Sequence, residues 1–506
     1  MNCIIIVPSL RDFYFTPHRF SSIGGQIAHE IALKSGCQSE IILLPLLKKP
    51  CKKDLPAFLS HLKPFIHGGE RGPVSFFTRY YSYGPEVFEA SELILKKKPD
   101  LLLFSLFAYG YAEELIALAA EIKSRQPELP LVAAGKGVKV NPSYFQQSGC
   151  LDYLITGEAE TSLALFLDAL KKNGSFENVP GLFWRESGQW RENPAELSSS
   201  TTMEYPFVVT RQSQKTLSVS VSLTRGCTMG CRFCANHDDR TFRYPSAEKV
   251  LSRVKSDLLP VIGARRLLLN FEDDNLLLCP EFFLEILGQI KKMIPHSVFL
   301  AENGLDYRLL TPPLIKKITG LGFEKFNFTL GSFSSETMSG QNRQHRLEHL
   351  KEVLALLHAM KIQTLTYFIA GFVDDTIEKL GNTLAFLASQ ATMAGMSAFY
   401  PIPGIPGWDK PEVFLKYPPA LTLGSSFYPW NGSLSTESLI TAFRLTRYIN
   451  LCKKSEKSGE ESELLEQIVK RRTIHSLFTD GIKAVPQLDR ELVGLFFDRS
   501  IALKKG

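Results

Sequence analysis

The sequence is poor in long apolar runs and close to balanced in charge. Nowhere do its 506 residues approach the roughly 18 consecutive apolar residues of a membrane-spanning helix. The N-terminus, residues 1–8, has no basic stretch, and its apolar run is too short for a secretory signal. The net charge of +6, from 58 basic and 52 acidic residues, is too small to indicate nucleic-acid binding. We therefore expect a cytoplasmic globular protein with no membrane span and no nucleic-acid partner.

Cysteine is also scarce, and it is unevenly distributed. Six of the nine cysteines are scattered along the chain, at Cys3, Cys37, Cys51, Cys150, Cys279 and Cys452. In a reducing compartment, isolated cysteines are expected to be small buried apolar residues rather than disulfide partners. The other three, Cys227, Cys231 and Cys234, lie close together with the spacing Cys-x3-Cys-x2-Cys. This cluster is the strongest chemical signal in the sequence.

The three clustered cysteines point to a metal centre. Neighbouring thiolates are soft ligands, which suit iron–sulfur clusters or zinc. A structural zinc site or an ordinary cubane cluster takes four protein ligands. Three ligands on a four-iron cluster leave one iron open to a substrate or cofactor. The alternative is a zinc site in which Cys279 or His237 is the fourth ligand.

Strand and helix patterns alternate through the N-terminal third, residues 1–172. Short, nearly continuous apolar runs predict strands at 3–7, 40–44, 101–106, 130–134 and 153–156. Amphipathic stretches between them predict helices at 22–34, 85–97, 112–125 and 158–171. This order predicts a doubly wound, Rossmann-like α/β domain, which binds ligands at the carboxyl ends of its strands.

The rest of the chain is predicted to contain a second α/β unit. Residues 173–217, rich in glycine, proline, serine and asparagine, are predicted to be a linker that contains a hairpin at 181–190. Strands are then predicted at 218–223, 265–271, 298–303, 325–330, 364–370 and 397–401, with helices between them. They predict a partial (β/α)6 barrel over 218–417, with its chemistry at the carboxyl ends of the strands. Residues 418–506 are predicted to be a small helical segment, with an exposed loop at 453–463 and a helix at 464–477.

The cysteine motif resembles the cluster loop of the radical S-adenosylmethionine (SAM) enzymes. In that family the loop follows the first strand of a partial barrel, as the cysteines follow the strand predicted at 218–223. Phe233, before the last cysteine, is part of the resemblance. It implies that Cys227, Cys231 and Cys234 ligate a [4Fe–4S] cluster whose open iron is chelated by SAM. It further implies that an electron from a low-potential donor, a flavodoxin or ferredoxin, splits SAM into methionine and a 5′-deoxyadenosyl radical.

The N-terminal third resembles the cobalamin-binding domain that precedes many radical SAM barrels. The matching residues at strand and helix ends are Gly24, Ser105, Gly135, Gly157 and Glu158. The resemblance implies that they lie against a bound corrinoid. Two features depart from the family: Ala134 stands in the usual Gly-Gly turn, and the Asp-x-His-x-x-Gly motif that supplies a histidine to cobalt is absent. We therefore expect cobalamin without a protein imidazole on cobalt.

Polar residues after the barrel strands are the expected SAM contacts. Asp273 and Asp274 follow the second strand, where the family often holds the SAM amine; a solvated acidic turn is the alternative. Arg343 would pair with the SAM carboxylate, the alternative being an arginine in solvent. The other expected contacts are Phe233, Asn303, Ser332 and Gly371.

Together the resemblances imply a cobalamin-dependent radical SAM enzyme. Methyl transfer to an unactivated carbon is the commonest reaction of such enzymes, and ring rearrangement and cyclisation also occur. No residue indicates the small-molecule substrate. One alternative is a radical SAM methylthiotransferase acting on RNA, in which Cys3, Cys37 and Cys51 would hold a second cluster. Another is a non-enzymatic corrinoid or iron–sulfur sensor.

Overall fold

The N-terminal part of the chain alternates strands and helices, as its apolar pattern predicts. A computed structural model describes residues 1–66, 74–458 and 488–505. Up to residue 192 the strands are β1 (Asn2–Val7), β2 (Leu10–Asp12), β3 (Gln38–Leu43), β4 (Cys51–Lys53), β5 (Tyr80–Tyr83), β6 (Leu101–Ser105), β7 (Leu131–Ala134), β8 (Tyr153–Ile155), β9 (Leu182–Glu186) and β10 (Gln189–Glu192). The helices are α1 (Ile23–Lys34), α2 (Val87–Leu95), α3 (Ala112–Arg125), α4 (Lys136–Lys139), α5 (Pro142–Gln147) and α6 (Ala159–Lys172).

Seven of these strands form one sheet, in the order β10-β9-β8-β7-β6-β1-β3. All neighbours from β8 to β3 are parallel. Taken in chain order, the parallel strands are arranged 2-1-3-4-5, so the direction of winding reverses between β1 and β6. Such a reversal opens a crevice at the carboxyl ends, where doubly wound domains bind ligands. The predicted doubly wound fold is confirmed.

Both faces of this sheet are buried, which explains the continuous apolar runs in its strands. In β1, Ile4 and Ile6 pack into the core on one face, while Cys3 and Ile5 pack into the core on the other. Successive side chains of a strand point to opposite faces, so covering both faces demands apolar residues at every position. The buried Cys3 is thus a packing residue of the sheet.

The segment predicted as a linker, 173–217, contains the hairpin that the sequence indicates at 181–190, but this hairpin belongs to a sheet. Its hairpin β9–β10 joins the N-terminal sheet, because β9 pairs antiparallel with β8. Leu182 and Trp184 of β9 are buried in the core of that sheet. Strands β2, β4 and β5, too short to show a clear period, form a small separate antiparallel sheet. The division of the chain into domains stays a prediction.

A second set of strands begins after residue 207. The strands are β11 (Val208–Gln212), β12 (Thr216–Val221), β13 (Arg266–Phe271), β14 (Val298–Leu300), β15 (Lys325–Gly331), β16 (Gln363–Ala370) and β17 (Met393–Ala398). The helices between and after them are α7 (Ala247–Arg253), α8 (Leu259–Ile262), α9 (Pro280–Met293), α10 (Pro312–Gly320), α11 (Ser335–Gly340), α12 (Leu347–Ala359), α13 (Ile377–Ser389) and α14 (Pro411–Phe414).

These strands form the predicted partial barrel. Strands β12, β13 and β14 are parallel neighbours, and so are β15, β16 and β17. Isolated parallel bridges, Phe299 to Phe323 and Leu305 to Phe328, connect the two groups. The six strands therefore follow one another around a curved sheet in chain order, and their carboxyl ends share one rim. The edge strand β11 pairs antiparallel with β12.

Two helices are described in the C-terminal part, α15 (Thr436–Ser458) and α16 (Arg490–Lys505). Helix α16 packs on α13, where a Cβ added at Gly381 would lie 3.2 Å from the Cβ of Leu495. The predicted exposed loop at 453–463 is wrong in its first part, since α15 continues to Ser458. The predicted helix at 464–477 lies outside the described residues. Within those residues, no helix is both long and apolar enough to cross a membrane.

Candidate functional site

The three clustered cysteines lie in a loop that follows β12 and closes on itself. The closure is an antiparallel pair of backbone hydrogen bonds, both 3.0 Å, between Arg225 and Arg243. Gly226, next to the closure, has a φ of +79°, and an added Cβ would stand 2.2 Å from the carbonyl oxygen of Thr241. Only glycine fits there. The 225–243 segment is called the cluster loop below.

Each cysteine sulfur in this loop accepts a hydrogen bond from a nitrogen. The donor to Cys227 is the Asn275 side chain, Nδ2 to Sγ 3.7 Å, and the donor to Cys234 is the Asn236 backbone, 3.4 Å. The donor to Cys231 is the guanidinium of Arg343, also 3.7 Å. Hydrogen bonds to sulfur stabilise the thiolate form and adjust the potential of a cluster that the thiolates hold.

Polar atoms without partners surround the cysteines. Buried and without a hydrogen bond to any described residue are Oδ2 of Asp273, Oδ1 of Asn275 and Nε of Arg343. Buried polar atoms are normally paired, so such orphans are candidate partners of a polar ligand. Among the described residues, no three His, Cys, Asp or Glu side chains converge as for a single ion. Three thiolates with orphaned donors and acceptors beside them fit a cluster that binds a further polar ligand.

The two residues proposed as the fourth ligand of a zinc site have other partners. The ring Nδ1 of His237 lies 3.2 Å from the carbonyl oxygen of Cys234. The side chain of Cys279 interacts with the hydroxyl of Tyr244, whose pKa it raises. The contact of Cys279 weakens the zinc alternative for that residue. The contact at Nδ1 leaves Nε2 of His237 as a ligand atom, so a zinc site with His237 stays an alternative.

Asp273 and Asp274 lie directly beside the cluster loop. Oδ1 of Asp273 accepts hydrogen bonds from the backbone N–H and the hydroxyl of Thr224, at 2.5 and 2.7 Å. Burial raises the pKa of Asp273 to about 7, although the bonds from Thr224 oppose the rise. Asp274 accepts from the Gly226 backbone at 3.0 Å and from the Asn236 side chain. Both carboxyl groups therefore brace the loop, so the alternative of a solvated acidic turn does not hold for the buried Asp273.

Arg343 belongs to a buried group of charges on the other side of Cys231. Its second guanidinium nitrogen donates to the carbonyl oxygen of Thr329 at 2.7 Å. Close by, Arg308 and Asp306 form a buried ion pair of 2.6 Å. Burial opposes the charge on Asp306, but Arg308 and Arg343 outweigh it and lower the pKa of Asp306. Arg343 is therefore a buried donor at the cluster loop and not an arginine in solvent.

The other expected SAM contacts are spread around the same rim. Phe233 stacks obliquely on Phe372, with ring centroids 5.5 Å apart, next to Gly371. Gly371 has a φ of +100°, and its backbone N–H donates to Asp375 at 2.9 Å. Ser332 is buried, and its hydroxyl accepts from the Ser334 backbone. Asn303 is exposed in a turn, because β14 ends at Leu300 instead of continuing to residue 303.

In the N-terminal sheet, Gly24 and Ser105 meet at the crevice between β1 and β6. A Cβ added at Gly24 would lie 3.9 Å from the Ser105 hydroxyl, with nothing nearer. At Gly135, φ is +105° and an added Cβ would lie 2.4 Å from the carbonyl oxygen of Leu106. At Gly157 it would lie 2.7 Å from the Ser162 hydroxyl. Gly135 is thus required by the backbone, a Cβ at Gly157 would need the Ser162 hydroxyl to move, and Gly24 leaves open space.

Glu158 was expected beside a corrinoid, but its carboxylate is engaged with the barrel half of the chain. It accepts hydrogen bonds from Arg243 at 2.9 Å and from the Ser198 backbone at 2.7 Å. Burial disfavours its charge, but the bonds from Arg243 and Ser198 prevail and lower the pKa of Glu158. The side chain is thus a charged partner of the cluster loop.

The carboxyl ends of the two parallel sheets face each other. Arg19, between β1 and α1, forms an ion pair of 2.6 Å with Glu302, which follows β14. Ser21 donates to Glu272, just after β13, at 2.8 Å. Lys136, after β7, lies 3.4 Å from Asp274. The crevice at Gly24 therefore opens toward the rim that carries the cysteines.

Comparison with known proteins agrees with this architecture. Residues 221–387 match the Radical SAM superfamily. Bacteriochlorophyllide d C-12(1)-methyltransferase of Chlorobaculum tepidum is 25% identical over 226 residues, 43% of this chain and 48% of the relative. Hopanoid C-3 methylase of Methylococcus capsulatus is 23% identical over 327 residues, 62% of this chain and 60% of the relative. The matched region thus spans about half the length of the first relative.

Solved structures show the same fold at low identity. The methyltransferase TsrM from Kitasatospora setae, with cobalamin and a [4Fe–4S] cluster bound, has a TM-score of 0.57 at 14% identity, covering 78% of this chain and 74% of that one. OxsB, with aqua-cobalamin and S-adenosylmethionine bound, has a TM-score of 0.55 at 14% identity, covering 90% of this chain and 61% of that one.

The chain therefore carries a radical SAM domain, and the predicted resemblance to cobalamin-dependent radical SAM enzymes is confirmed in domain and fold. The enzymatic activity that was predicted with it is taken up below as a proposal. The roles assigned to individual residues stay proposals.

Sequence reasoning missed several residues that the structure brings to the cysteines. Asn236 and Asn275 donate to sulfur, and Thr224 holds Asp273. Asn236 lies two residues beyond Cys234, and Asn275 lies two residues beyond Asp273, so proximity to the motifs was the available signal. Arg308 had no such signal, since it reaches the site from the segment after β14.

Replacing the three clustered cysteines should remove the iron. Protein purified without oxygen should carry about four irons and four sulfides per chain, the content of one cluster. Cys227→Ala, Cys231→Ala and Cys234→Ala together should leave essentially none, as measured by iron and sulfide analysis. As the matched control, Cys3→Ala, Cys37→Ala and Cys51→Ala together should keep the full content. Loss of half of a doubled iron content in the control would instead indicate a second cluster.

The buried Asp273 should give stability a pH dependence of known sign. The folded state raises the pKa of Asp273 from 3.8 to about 7, so the folded protein binds this proton more tightly than the unfolded chain does. The free energy of unfolding therefore decreases as the pH rises from about 4 to about 7. Asp273→Asn keeps an oxygen acceptor for Thr224 and removes the charge. At about 1.4 kcal/mol per pKa unit, the free energy of unfolding of this variant should exceed that of the wild type by on the order of 4 kcal/mol at pH 8. Melting temperatures of cluster-free protein at pH 5 and pH 8 would test this; an equal advantage at both would contradict it.

Proposed function

We propose that the protein is a cobalamin-dependent radical SAM methyltransferase acting on an unactivated carbon of a small molecule. The observation that carries the proposal is the opposition of the two carboxyl-end faces, with the Gly24 crevice on one and the cysteines on the other. Ser21 and Glu272, hydrogen-bonded at 2.8 Å, mark how closely these faces approach. A corrinoid in the crevice would therefore lie next to a cluster at the barrel rim. The named curated relatives are both methyltransferases or methylases, which favours methyl transfer.

The bound groups would supply the reactive chemistry, and the protein would hold them and exclude water. When bound, the cluster provides the electron that cleaves SAM, and the corrinoid carries the methyl group. Cys227, Cys231 and Cys234 would hold the cluster, leaving one iron for SAM. Every other contribution comes from the polar and aromatic residues around them.

Two unpartnered atoms near the cysteines suit the amino-acid end of SAM. Oδ2 of Asp273 is an acceptor for the ammonium, and Nε of Arg343 is a donor for the carboxylate. The two residues lie on different sides of the loop, one against Thr224 and the other against Cys231. An ammonium beside Asp273 would favour its ionised form, so binding would release the proton that burial retains. Phe233 and the backbone at Gly371 would face the adenine.

The crevice of the N-terminal sheet offers both space and aromatic cover for a corrin ring. Gly24 leaves its floor open, and Ser105 supplies a hydroxyl there. Phe107, 44% exposed, lies two residues after β6 and contacts Phe20 with ring centroids 5.4 Å apart. Flat aromatic faces at a crevice favour a large planar ligand.

The methylthiotransferase alternative receives no support from the positions of its three cysteines. Cys3 and Cys37 are buried at the amino ends of β1 and β3. Cys51 is exposed on β4, whose sheet contains β2 and so extends from the opposite, carboxyl end of β1. The three are thus not brought together.

Turnover of SAM tests the proposed function directly. With SAM, a strong low-potential reductant and hydroxocobalamin, the protein should release 5′-deoxyadenosine, and with its true substrate S-adenosylhomocysteine as well. The reason is that one SAM gives up its methyl group while another is cleaved. Cys231→Ser should abolish 5′-deoxyadenosine, measured by liquid chromatography. If 5′-deoxyadenosine forms in the presence of substrate but S-adenosylhomocysteine does not, the reaction is a rearrangement or cyclisation. If neither compound forms under any condition, the sensor alternative is favoured.

Corrinoid retention tests the crevice without turnover. Wild-type protein should keep about one equivalent of hydroxocobalamin after desalting, as read from its visible absorption. Gly24→Leu should reduce retention by tenfold or more, because the side chain would project into the open crevice; about 1.4 kcal/mol already corresponds to tenfold. The control is Gly288→Leu in α9, where an added Cβ meets nothing within 4 Å. If Gly24→Leu and Gly288→Leu retain equal amounts of hydroxocobalamin, the corrinoid does not bind in the crevice at Gly24.

A further inference from the structure

Four charged side chains connect the N-terminal sheet to the closure of the cluster loop. Glu158 and Glu160 stand at the start of α6, and Arg225 and Arg243 close the loop. Arg243 lies 2.9 Å and Arg225 3.5 Å from the same oxygen of Glu158, while Arg225 also pairs with Glu160. All four are between 3% and 19% exposed. These four residues are called the clamp.

The carboxylates of the clamp are held by further hydrogen bonds within the protein. Glu158 accepts from the backbone and hydroxyl of Ser198, and Glu160 accepts from the Glu204 backbone at 3.0 Å. The guanidinium of Arg243 also donates to the carbonyl oxygen of Ser198 at 2.9 Å. Such dense pairing leaves Glu158 poorly placed to serve a corrinoid, the role that family resemblance gives it.

The clamp reaches the cysteines through short steps along the loop. Arg225 precedes Cys227 by two residues. Arg243 forms a second ion pair, 3.0 Å, with Asp239, and the carbonyl oxygen of Asp239 accepts a hydrogen bond from the Cys227 backbone at 3.1 Å. On the other side, Glu158 directly follows Gly157 at the end of β8. The clamp therefore joins the first cysteine to the crevice face of the N-terminal sheet.

We propose that Glu158 and Glu160 are positioning residues for the metal centre: they hold the closed cluster loop so that its three cysteines stand ready to ligate, at a fixed distance from the crevice. This inference rests on the proposed function. It assigns the Gly157-Glu-Ala-Glu160 turn to the cluster and not to the corrinoid. The loop itself has little regular structure, so its shape depends on such outside contacts.

Glu158→Gln with Glu160→Gln removes both negative charges with little change in shape. Loss of outer-shell partners typically weakens metal binding about 10- to 100-fold, so iron release to a chelator should be about tenfold faster or more. In cluster-free protein, hydrogen exchange of the backbone amides in 225–243 should also accelerate. Retention of hydroxocobalamin should stay at the wild-type level.

The matched control is Glu30→Gln. Glu30 of α1 and Arg253 of α7 form another ion pair between the two halves, 2.9 Å long and with side chains 18% and 23% exposed. This pair lies on α1 and α7, outside the cluster loop, so the variant should keep wild-type iron release and wild-type exchange in 225–243. If Glu30→Gln accelerates iron release and exchange as much as the double glutamine variant does, the clamp has no specific role at the cluster loop and the proposal is overturned.

A reversed pair separates a positional role from a folding defect. Glu160→Arg with Arg225→Glu restores an ion pair with its charges exchanged and should recover at least part of the slow iron release. Should the double glutamine variant fail to fold, Arg243→Lys substitutes for it, since lysine cannot bridge Glu158 and Asp239 together. It should show the same faster release and exchange.

Two outcomes would overturn the inference while the proposed function stands. One is wild-type iron release and exchange in the variants that lose the clamp. The other is normal iron release with loss of hydroxocobalamin, which would return Glu158 to the corrinoid. Failure of the proposed function has a different signature, namely wild-type protein that binds neither iron nor corrinoid. Exchange in the cluster-free protein still tests the clamp in that case.

Discussion

The closure of the cluster loop by Arg225 and Arg243 is the constraint on which the site depends. The loop contains neither a helix nor a strand, so contacts from outside contribute to its shape. On one side the clamp holds its ends; on the other, Asn342 donates to the Gly230 carbonyl at 2.9 Å, and the Gln341 carbonyl accepts from the Arg232 backbone at 3.0 Å. The loop is thus fixed between the N-terminal sheet and the segment after β15.

Charge around the cysteines is distributed unevenly, and this has a chemical consequence. Near Cys231, Arg343 and the Arg308–Asp306 pair leave a net positive charge in a buried setting. On the Cys227 side, the carboxyl group of Asp273 has its pKa raised to about 7 by burial, so part of the population is neutral near that pH. Thiolates bring negative charge, and a positive neighbour stabilises them while a neutral one does not repel them. Burial nevertheless raises the pKa of the Cys234 thiol, and the neighbouring Cys231 and Asp274 add to the rise although the Asn236 backbone N–H opposes it. A bound metal centre would supply the further positive charge that favours the thiolate.

The sequence predicted the regular elements well, because their signal is local. Apolar periods located β1, β6 and α3 to within two residues, and cysteine spacing located the loop that carries the proposed metal ligands. The hairpin β9–β10 was indicated by the sequence at 181–190, but its place in the N-terminal sheet was missed, since its partner β8 lies earlier in the chain and the surrounding composition resembles a linker. The actual partner of Glu158 was also missed, because it lies on the far half of the molecule. The family resemblance singled out Glu158 as a functional residue but could not predict that its side chain contacts Arg243.

The polar contacts between the two halves differ in strength with their burial. Over the crevice, Arg19 and Lys136 are at least half exposed, and ion pairs in such positions contribute little. The clamp is buried, so removing one partner would leave a charge uncompensated at a cost of several kcal/mol, on the order of 3–5. The halves are therefore held firmly beside the cluster loop and lightly over the crevice. Under the proposed function, a corrinoid entering the crevice would displace only these weakly held contacts and would leave the clamp intact.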